Sequence, residues 1–376
     1  MVKSNYQGMA ASNTMIDNFE IDICHNYRFD DLQQQWLSIQ DGQSLPFFLT
    51  WPWISCWLKT FDPDVIVVSA SVDDRVVAIG LFTRSIQIRR GIIKSSQYRL
   101  HQVGDQLLDQ IWMEFNDFIC LEEYRADAVN ACLQALQMSD EDCDEIILSM
   151  VTSSRARDIQ GVLSEAEVQM TSASYAEDLS RLRQHDLPYL KSLTSNTRYQ
   201  IRRSERLYNR LHGEVKYTLA SDVQQALDFF HEAGKYHMLR WDDSGFTNPQ
   251  FVAFHESLIR DSFDNRSVDM MKVTSGDETI AILYFHIVDK DVYFYLQGVN
   301  YESDQKLKPG LLAHAIATQY YLDKGMRKYD YMGGFSQYKC QLSSPSEDMV
   351  TLCIQKPSIA FSLERSGRKL KSLLTK

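Results

Sequence analysis

Apolar residues recur at intervals of three and four over residues 29–39 and 51–60, which predicts two helices, the second with Pro52 in its first turn. A β-branched run at 64–72, the turn Asp73-Asp74-Arg75 and an extended run at 76–88 predict a hairpin. Further extended pieces are predicted at 97–103, 117–121 and 146–150, with a helix at 122–138 and an acidic loop at 139–145. The second half opens with helices predicted at 186–211, 222–240 and 248–263. Strands follow at 268–275, 279–288 and 292–299, then a helix at 311–324 with Gly325 as its stop. A short strand at 329–332 runs into Gly333-Gly334. This alternation predicts mixed α/β halves.

The two halves share a pattern. Asp74-Arg75-Val76-Val77-Ala78-Ile79-Gly80-Leu81-Phe82 aligns without gaps on Asp277-Glu278-Thr279-Ile280-Ala281-Ile282-Leu283-Tyr284-Phe285, 203 residues later. Each segment is the second arm of a hairpin preceded by helices. The match predicts two copies of one α/β fold, joined somewhere in 153–180. The expected division is 19–160 for a first lobe, 175–360 for a second and 361–376 for a basic C-terminal helix.

Composition narrows the field. At 376 residues, 44% hydrophobic and 24% charged, the chain is an ordinary globular one, long enough for two domains. The net charge of -11 argues against a general nucleic-acid coat. It is unevenly placed: 12 Lys+Arg face 25 Asp+Glu up to Ser172, against 27 and 25 after it. The halves carry about -13 and +2, so an anionic ligand should prefer the second. Seven cysteines lack Cys-x-x-Cys spacing, which predicts free thiols and no metal site. Met1 to Gly8 lacks the apolar core of a signal peptide, and the greasiest stretch, 47–58, is broken by Pro52. A soluble, cytoplasmic chain is expected.

Four segments can carry chemistry. Lys308-Pro309-Gly310-Leu311 opens a helix after an aromatic strand, leaving backbone N–H groups at a positive helix end beside two lysines, a seat for phosphate or an ordinary loop. Arg198, Arg202, Arg206 and Arg210 recur every four residues, with Arg203 beside them, as a ridge for phosphates or as a solvated face. His237 and Arg240 lie three apart on one helix face, and imidazole is suited to accepting a proton near neutrality. Asp330 to Lys339 is a strand entering two glycines and then Tyr338-Lys339, which permits close backbone approach to a ligand. Dinucleotide, P-loop, serine-hydrolase and zinc-protease motifs are missing from the sequence.

Together, in this order, these segments and Phe48-Leu49-Thr50 before a Trp-rich helix resemble the GNAT superfamily of acyltransferases. The resemblance spans roughly 47–341. It is nearer to a two-lobed bacterial branch that includes cellulose-biosynthesis-associated acetyltransferase-like proteins and is related to Fem-type aminoacyltransferases. It implies tandem GNAT-like lobes, each a mixed, largely antiparallel sheet flanked by helices. It further implies an acyl-CoA co-substrate, no metal, and a small-molecule or saccharide acceptor bearing an amine or hydroxyl, in envelope or exopolysaccharide synthesis. Two alternatives stand beside this reading: an aminoacyl-tRNA donor gripped by the arginines, and a non-catalytic binding protein. Where the superfamily has Gln/Arg-x-x-Gly-x-Gly/Ala, Gln305 and Gly310 fit and Lys308 replaces the middle glycine. By the resemblance, His237 is the general base with Asp330 as second candidate, Arg240 joins His237, Tyr338 protonates the leaving sulfur and Lys339 holds a phosphate or acidic acceptor. Lys308, Pro309, Gly310 and Leu311 face the pyrophosphate, with Arg202 and Arg203 near it. Gln297 and Gly298 form the bulge of a splayed strand that polarises the acyl oxygen. The first lobe is expected to be a degenerate copy shaping the acceptor cleft. The basic tail implies weak membrane-surface contact or a solvated helix.

Overall fold

The computed structural model describes residues 12–89, 93–140 and 142–356, so the expected helix at 361–376 lies outside the described residues. The first lobe runs β1 (Ser12–Ile16), β2 (Phe19–Cys24), α1 (Phe29–Gln40), α2 (Trp51–Phe61), β3 (Val65–Val72), β4 (Arg75–Arg89) and β5 (Ile93–Leu100). It continues through β6 (Ile119–Cys120), α3 (Arg125–Ser139), β7 (Glu145–Thr152), α4 (Ser153–Val162) and β8 (Ala166–Ser172). The second lobe begins with β9 (Ser174–Asp178), α5 (Leu179–Gln184), α6 (Tyr189–Ser192), α7 (Ser195–Leu211), β10 (Val215–Leu219), α8 (Val223–Arg240) and α9 (Pro249–Ser262). Then come β11 (Val268–Ser275), β12 (Glu278–Val288), β13 (Asp291–Val299), α10 (Pro309–Asp323), β14 (Lys328–Gly333), α11 (Gln337–Leu342), β15 (Ser344–Pro345) and β16 (Met349–Gln355).

Two mixed, mostly antiparallel sheets result, ordered β1-β2-β3-β4-β5-β7-β16-β8, with β6 on β4, and β10-β11-β12-β13-β14-β9-β15. The hairpins match to the residue. In the first, Val72 pairs Arg75, Ser71 pairs Val76, and a bulge then brings Ala70 opposite Ala78. In the second, Ser275 pairs Glu278, Thr274 pairs Thr279, and the same bulge brings Val273 opposite Ala281. Each lobe also holds one parallel strand pair, β5 with β7 and β13 with β14.

The joint expected within 153–180 falls at Ala173, between β8 of the first sheet and β9 of the second, with α4, β8 and β9 filling most of that stretch. Two expectations are corrected. The strand expected at 97–103 ends at Leu100, because His101 turns into the left-handed region at φ 50. The division at 175–360 is crossed by β16, which returns from the second lobe to pair β7 and β8 in the first sheet. Its residues are almost all buried, and Gln355 donates to the buried Glu145 carboxylate at 2.6 Å, so the first lobe is incomplete without it.

The lobes share a core. Trp36, Trp53 and Trp57 pack in one apolar cluster with Phe251, Phe254 and Tyr284, and α2 lies against α9. The other face of the second sheet packs on α7 and α10 in a separate cluster holding Ile201, Phe285 and Leu312. None of the seven cysteines is joined in a disulfide. No helix among the described residues is long and apolar enough to cross a membrane.

Gly298 has a packing role. A Cβ there would lie 2.3 Å from the carbonyl oxygen of Ala233, so α8 rests directly on β13. Gly298→Ala is therefore expected to destabilise the fold by roughly 1–3 kcal/mol, the usual cost of overpacking, read as a lower urea midpoint.

Candidate active site

β13 and β14 pair only from Asp291–Tyr293 to Lys328–Asp330, and beyond that point they part. β13 follows β12 to Val299, while β14 bends at Met332, whose φ is 65. The split opens onto a cavity of about 530 Å³ walled by both lobes. The second lobe lends it His237, Trp241, Phe294, Tyr295, Gln297, Tyr338 and Lys339, and the first lobe Gln102, Asp109, Trp112, Glu114 and Ser172.

Glu114 is the residue that sequence reasoning missed. Its Oε2 accepts the Gly333 N–H at 2.7 Å. Burial pushes its carboxyl up to about 7, opposed by that hydrogen bond and by Lys339 and assisted by Asp330. Its arrival there has a structural cause. In the first lobe the gap beyond the β5–β7 pair is filled by the lobe's own chain. His101 Nε2 accepts the Leu81 N–H, so Nδ1 carries the proton and donates to Asn116 Oδ1 at 2.9 Å. Asn116 donates in turn to the carbonyls of Leu100 and Met150, bridging the ends of β5 and β7. The chain that fills this slot also carries Glu114 across to the other lobe. The trace in sequence is a single carboxylate inside Ile111-Trp112-Met113-Glu114-Phe115, with no spacing motif around it.

His237, Tyr338 and Lys339 all reach the cavity. His237 Nδ1 lies 2.8 Å from Ser244 Oγ, and burial lowers its pKa. Tyr338 stacks on His314 at 5.3 Å, and burial raises its phenol. Lys339 donates to the carbonyls of Met332 and Gly333, and burial lowers its ammonium. Arg240 stands outside the cavity wall, its guanidinium 5.3 Å from the ring of Trp241 and 5.5 Å from that of Tyr301. Asp330 lies beneath the split, paired with Lys328 at 3.1 Å and accepting the Met332 N–H at 2.8 Å.

Pro309 opens α10, and no side chain caps its N-terminus. Lys308 is the N-cap, and its N–H donates to Ser204 Oγ of α7 at 2.9 Å. Gly310 and Leu311 follow in the first turn, where a Cβ at Gly310 would meet Gln297 Oε1 at 3.8 Å. Gln297 thus connects the cavity wall to this helix start. The bulge expected at Gln297 and Gly298 lies two residues earlier: Tyr284 faces Leu296 and Phe285 faces Phe294, which leaves Tyr295 as the extra residue. The ridge on α7 is also shorter than expected, because Arg198 is committed to the carbonyls of Leu190, Lys191 and Leu193. Arg202, Arg206 and Arg210 are exposed and form no ion pair among the described residues, and Arg203 lies half-buried over Tyr199 at 5.5 Å. Among the described residues no group of three or more His, Cys, Asp or Glu is placed to hold a metal.

Residues 195–340 match the family model of the acetyltransferase (GNAT) domain. Among solved structures the chain is similar to FemX, at 11% identity and TM-score 0.58, covering 91% of this chain and 99% of that one. It is similar to L-PGS from Bacillus licheniformis, at 11% identity and TM-score 0.54, covering 91% and 96%. It also resembles the C-terminal domain of a protein designated lysylphosphatidylglycerol synthetase, from Agrobacterium fabrum, at 11% identity and TM-score 0.52, covering 90% and 96%. No curated protein sequence matches the chain. The second lobe therefore carries an acyltransferase domain of the GNAT kind, and the whole chain has the two-lobed form of these structures.

Proposed function

We propose that the protein transfers an acyl group from an acyl-CoA thioester to a primary amine, with Glu114 as general base. The observation that carries this reading is a half-buried carboxylate at the split between β13 and β14, hydrogen-bonded to the Gly333 N–H and pushed up to about 7 by desolvation. An alkylammonium, with a pKa near ~10, must lose a proton before it attacks a carbonyl, and a base poised near the working pH removes it best. The acceptor enters from the first lobe, whose charge of about -13 and pocket carboxylates Asp109 and Glu114 favour a cation over a neutral alcohol.

The donor's pyrophosphate is placed at the uncapped start of α10, beside Lys308 and close to Arg202 and Arg203, where free N–H groups and the helix dipole favour an anion. Past Tyr293 the main chain of β13 has no strand partner on the β14 side, so its N–H groups are available to the acyl oxygen. Glu114 takes one proton from the bound ammonium and releases it to solvent; the free amine nitrogen then forms a bond to the carbonyl carbon, its second proton passes to Glu114, the C–S bond breaks as Tyr338 protonates the thiolate, and the proton on Glu114 returns to the tyrosinate through solvent. His237 stands beside the half-exposed Trp241, their rings 6.5 Å apart, which suits it to orienting the acceptor at the mouth.

Calorimetric titration with acetyl-CoA, longer acyl-CoAs and free coenzyme A tests the donor. Micromolar binding is expected, weakened about tenfold (about 1.4 kcal/mol) in Lys308→Glu. Absence of binding by folded protein removes the acyl-CoA reading. A second reading, an aminoacyl-tRNA donor, is favoured by the unpaired Arg202, Arg206 and Arg210 next to α10. It requires tRNA binding whose affinity falls steeply with salt and collapses in the triple alanine variant of those arginines.

A further inference from the structure

The bend in β14 is held by charge on every side. Met332 sits at φ 65, a region that favours glycine and costs a β- or γ-extended side chain about 1 kcal/mol or more. Its N–H donates to Asp330 Oδ1 at 2.8 Å. The next N–H, of Gly333, donates to Glu114 Oε2 at 2.7 Å. The carbonyls of both residues accept from Lys339 Nζ. Four consecutive main-chain groups are thus bound by three charged side chains, and these come from three places: β14 itself, α11 and the first lobe. Asp330 is 1% and Lys339 8% exposed. Burying charges is costly unless each is fully engaged, and hydrogen bonds to ionised groups are about twice as strong as neutral ones. The arrangement engages all three on one bend.

We propose that Asp330 and Lys339 are positioning residues that, with Glu114, clamp Met332-Gly333 in the bent form that keeps β14 away from β13 and presents Glu114 to the acceptor. Two of the three Lys339 donors go to carbonyls, and Asp330 is shared between Lys328 and the Met332 N–H, so both side chains are committed to the bend. The clamp ties the two lobes together at the reacting point: Glu114 holds the bend, and the bend holds Glu114. The charged and titratable groups around Glu114 are Lys339 from α11, Asp330 from β14, Asp109 on its own segment, and His237 and Tyr295 across the cavity.

Two readouts test the clamp, and only the second depends on Glu114 being the base. The first is deuterium uptake at Gly333 in the full chain, by mass spectrometry. Lys339→Met and Glu114→Ala are each expected to speed exchange at least tenfold. Glu114→Gln and Asp330→Asn keep an acceptor oxygen for their N–H and are expected to stay within about threefold of the parent. Parent-like exchange in both Lys339→Met and Glu114→Ala overturns the clamp. The second readout is the acid limb of kcat/KM against pH. Removing the cation in Lys339→Met should move the limb upward, and removing the like charge in Asp330→Asn should move it downward. Limbs that move in the same direction, or not at all, overturn the positioning role. Parent-like activity in Glu114→Gln instead refutes the base assignment, and Gly333 exchange then decides the clamp alone. If Lys339→Met does not fold, Glu114→Ala against Glu114→Gln carries the exchange test and Asp330→Asn the pH test.

Discussion

Replacing Glu114 by glutamine is expected to lower kcat/KM by roughly 10²–10⁴-fold, the usual contribution of a positioned general base. The parent should show an acid limb near pH 7, with activity rising as the carboxyl loses its proton, and the variant should lack it. Stability should move the other way. A carboxyl whose folded pKa is raised from 4.5 to about 7 penalises the fold little below pH 4.5, increasingly up to 7, and by a constant amount above it. That amount is about 3 kcal/mol at about 1.4 kcal/mol per pH unit, so Glu114→Gln should melt at the same or a higher temperature than the parent at pH 8. The amide oxygen still accepts the Gly333 N–H. A variant that is both inactive and markedly less stable at pH 8 would mean that Glu114 is structural.

Acid should unfold the protein through its buried histidines. Burial lowers His101 to about 4, His255 and His314 to about 3, and His286 well below its ordinary 6.5. A neutral buried imidazole takes up a proton on unfolding, so its contribution is complete above pH 6.5 and is lost as pH falls toward the folded value. Each costs about 1.4 kcal/mol per pH unit over that window, which for four histidines reaches the upper end of ordinary domain stability by pH 4. Asp109, Asp330 and Glu114, raised by burial, offset part of this because they gain protons in the folded state. His286 gives the sharpest single test. It stacks flat on Phe47 at 4.3 Å, and neither ring nitrogen has a partner. His286→Phe is expected to raise the urea midpoint at pH 8 slightly and at pH 5 by the equivalent of about 2 kcal/mol more. An equal gain at both values would show that His286 does not titrate across this range.

The legible parts of this chain were those that depend on local pattern. The helices of the second half, Pro309 at a helix start and Gly325 at its stop follow from spacing and end chemistry within a few residues. The hairpin repeat is legible because a turn and bulge are specified by adjacent residues, and both copies keep the same register. His237, Tyr338, Lys339 and Gln297 were singled out by local context, and they converge on one cavity.

What failed was whatever required distant chain to meet. Residues 349–355 fell within the expected second lobe because nothing local says which sheet edge they will join; pairing with β7 and β8 places them in the first sheet. The roles first given to Asp330 and Lys339 rest on their chemistry as free side chains, yet folding commits both to the backbone of one bend. Gly298 has the conformational freedom of a bulge residue, and only the approach of Ala233 shows what that smallness serves. By itself, then, the sequence determined two copies of an α/β lobe and a Pro-Gly helix start, because periodicity and end chemistry act within a few residues. Tertiary structure alone decided that one slot is plugged, that the plug delivers Glu114 to the other, and that desolvation there pushes its carboxyl up. Burial and proximity set those properties, and neither exists until residues more than two hundred positions apart are packed together.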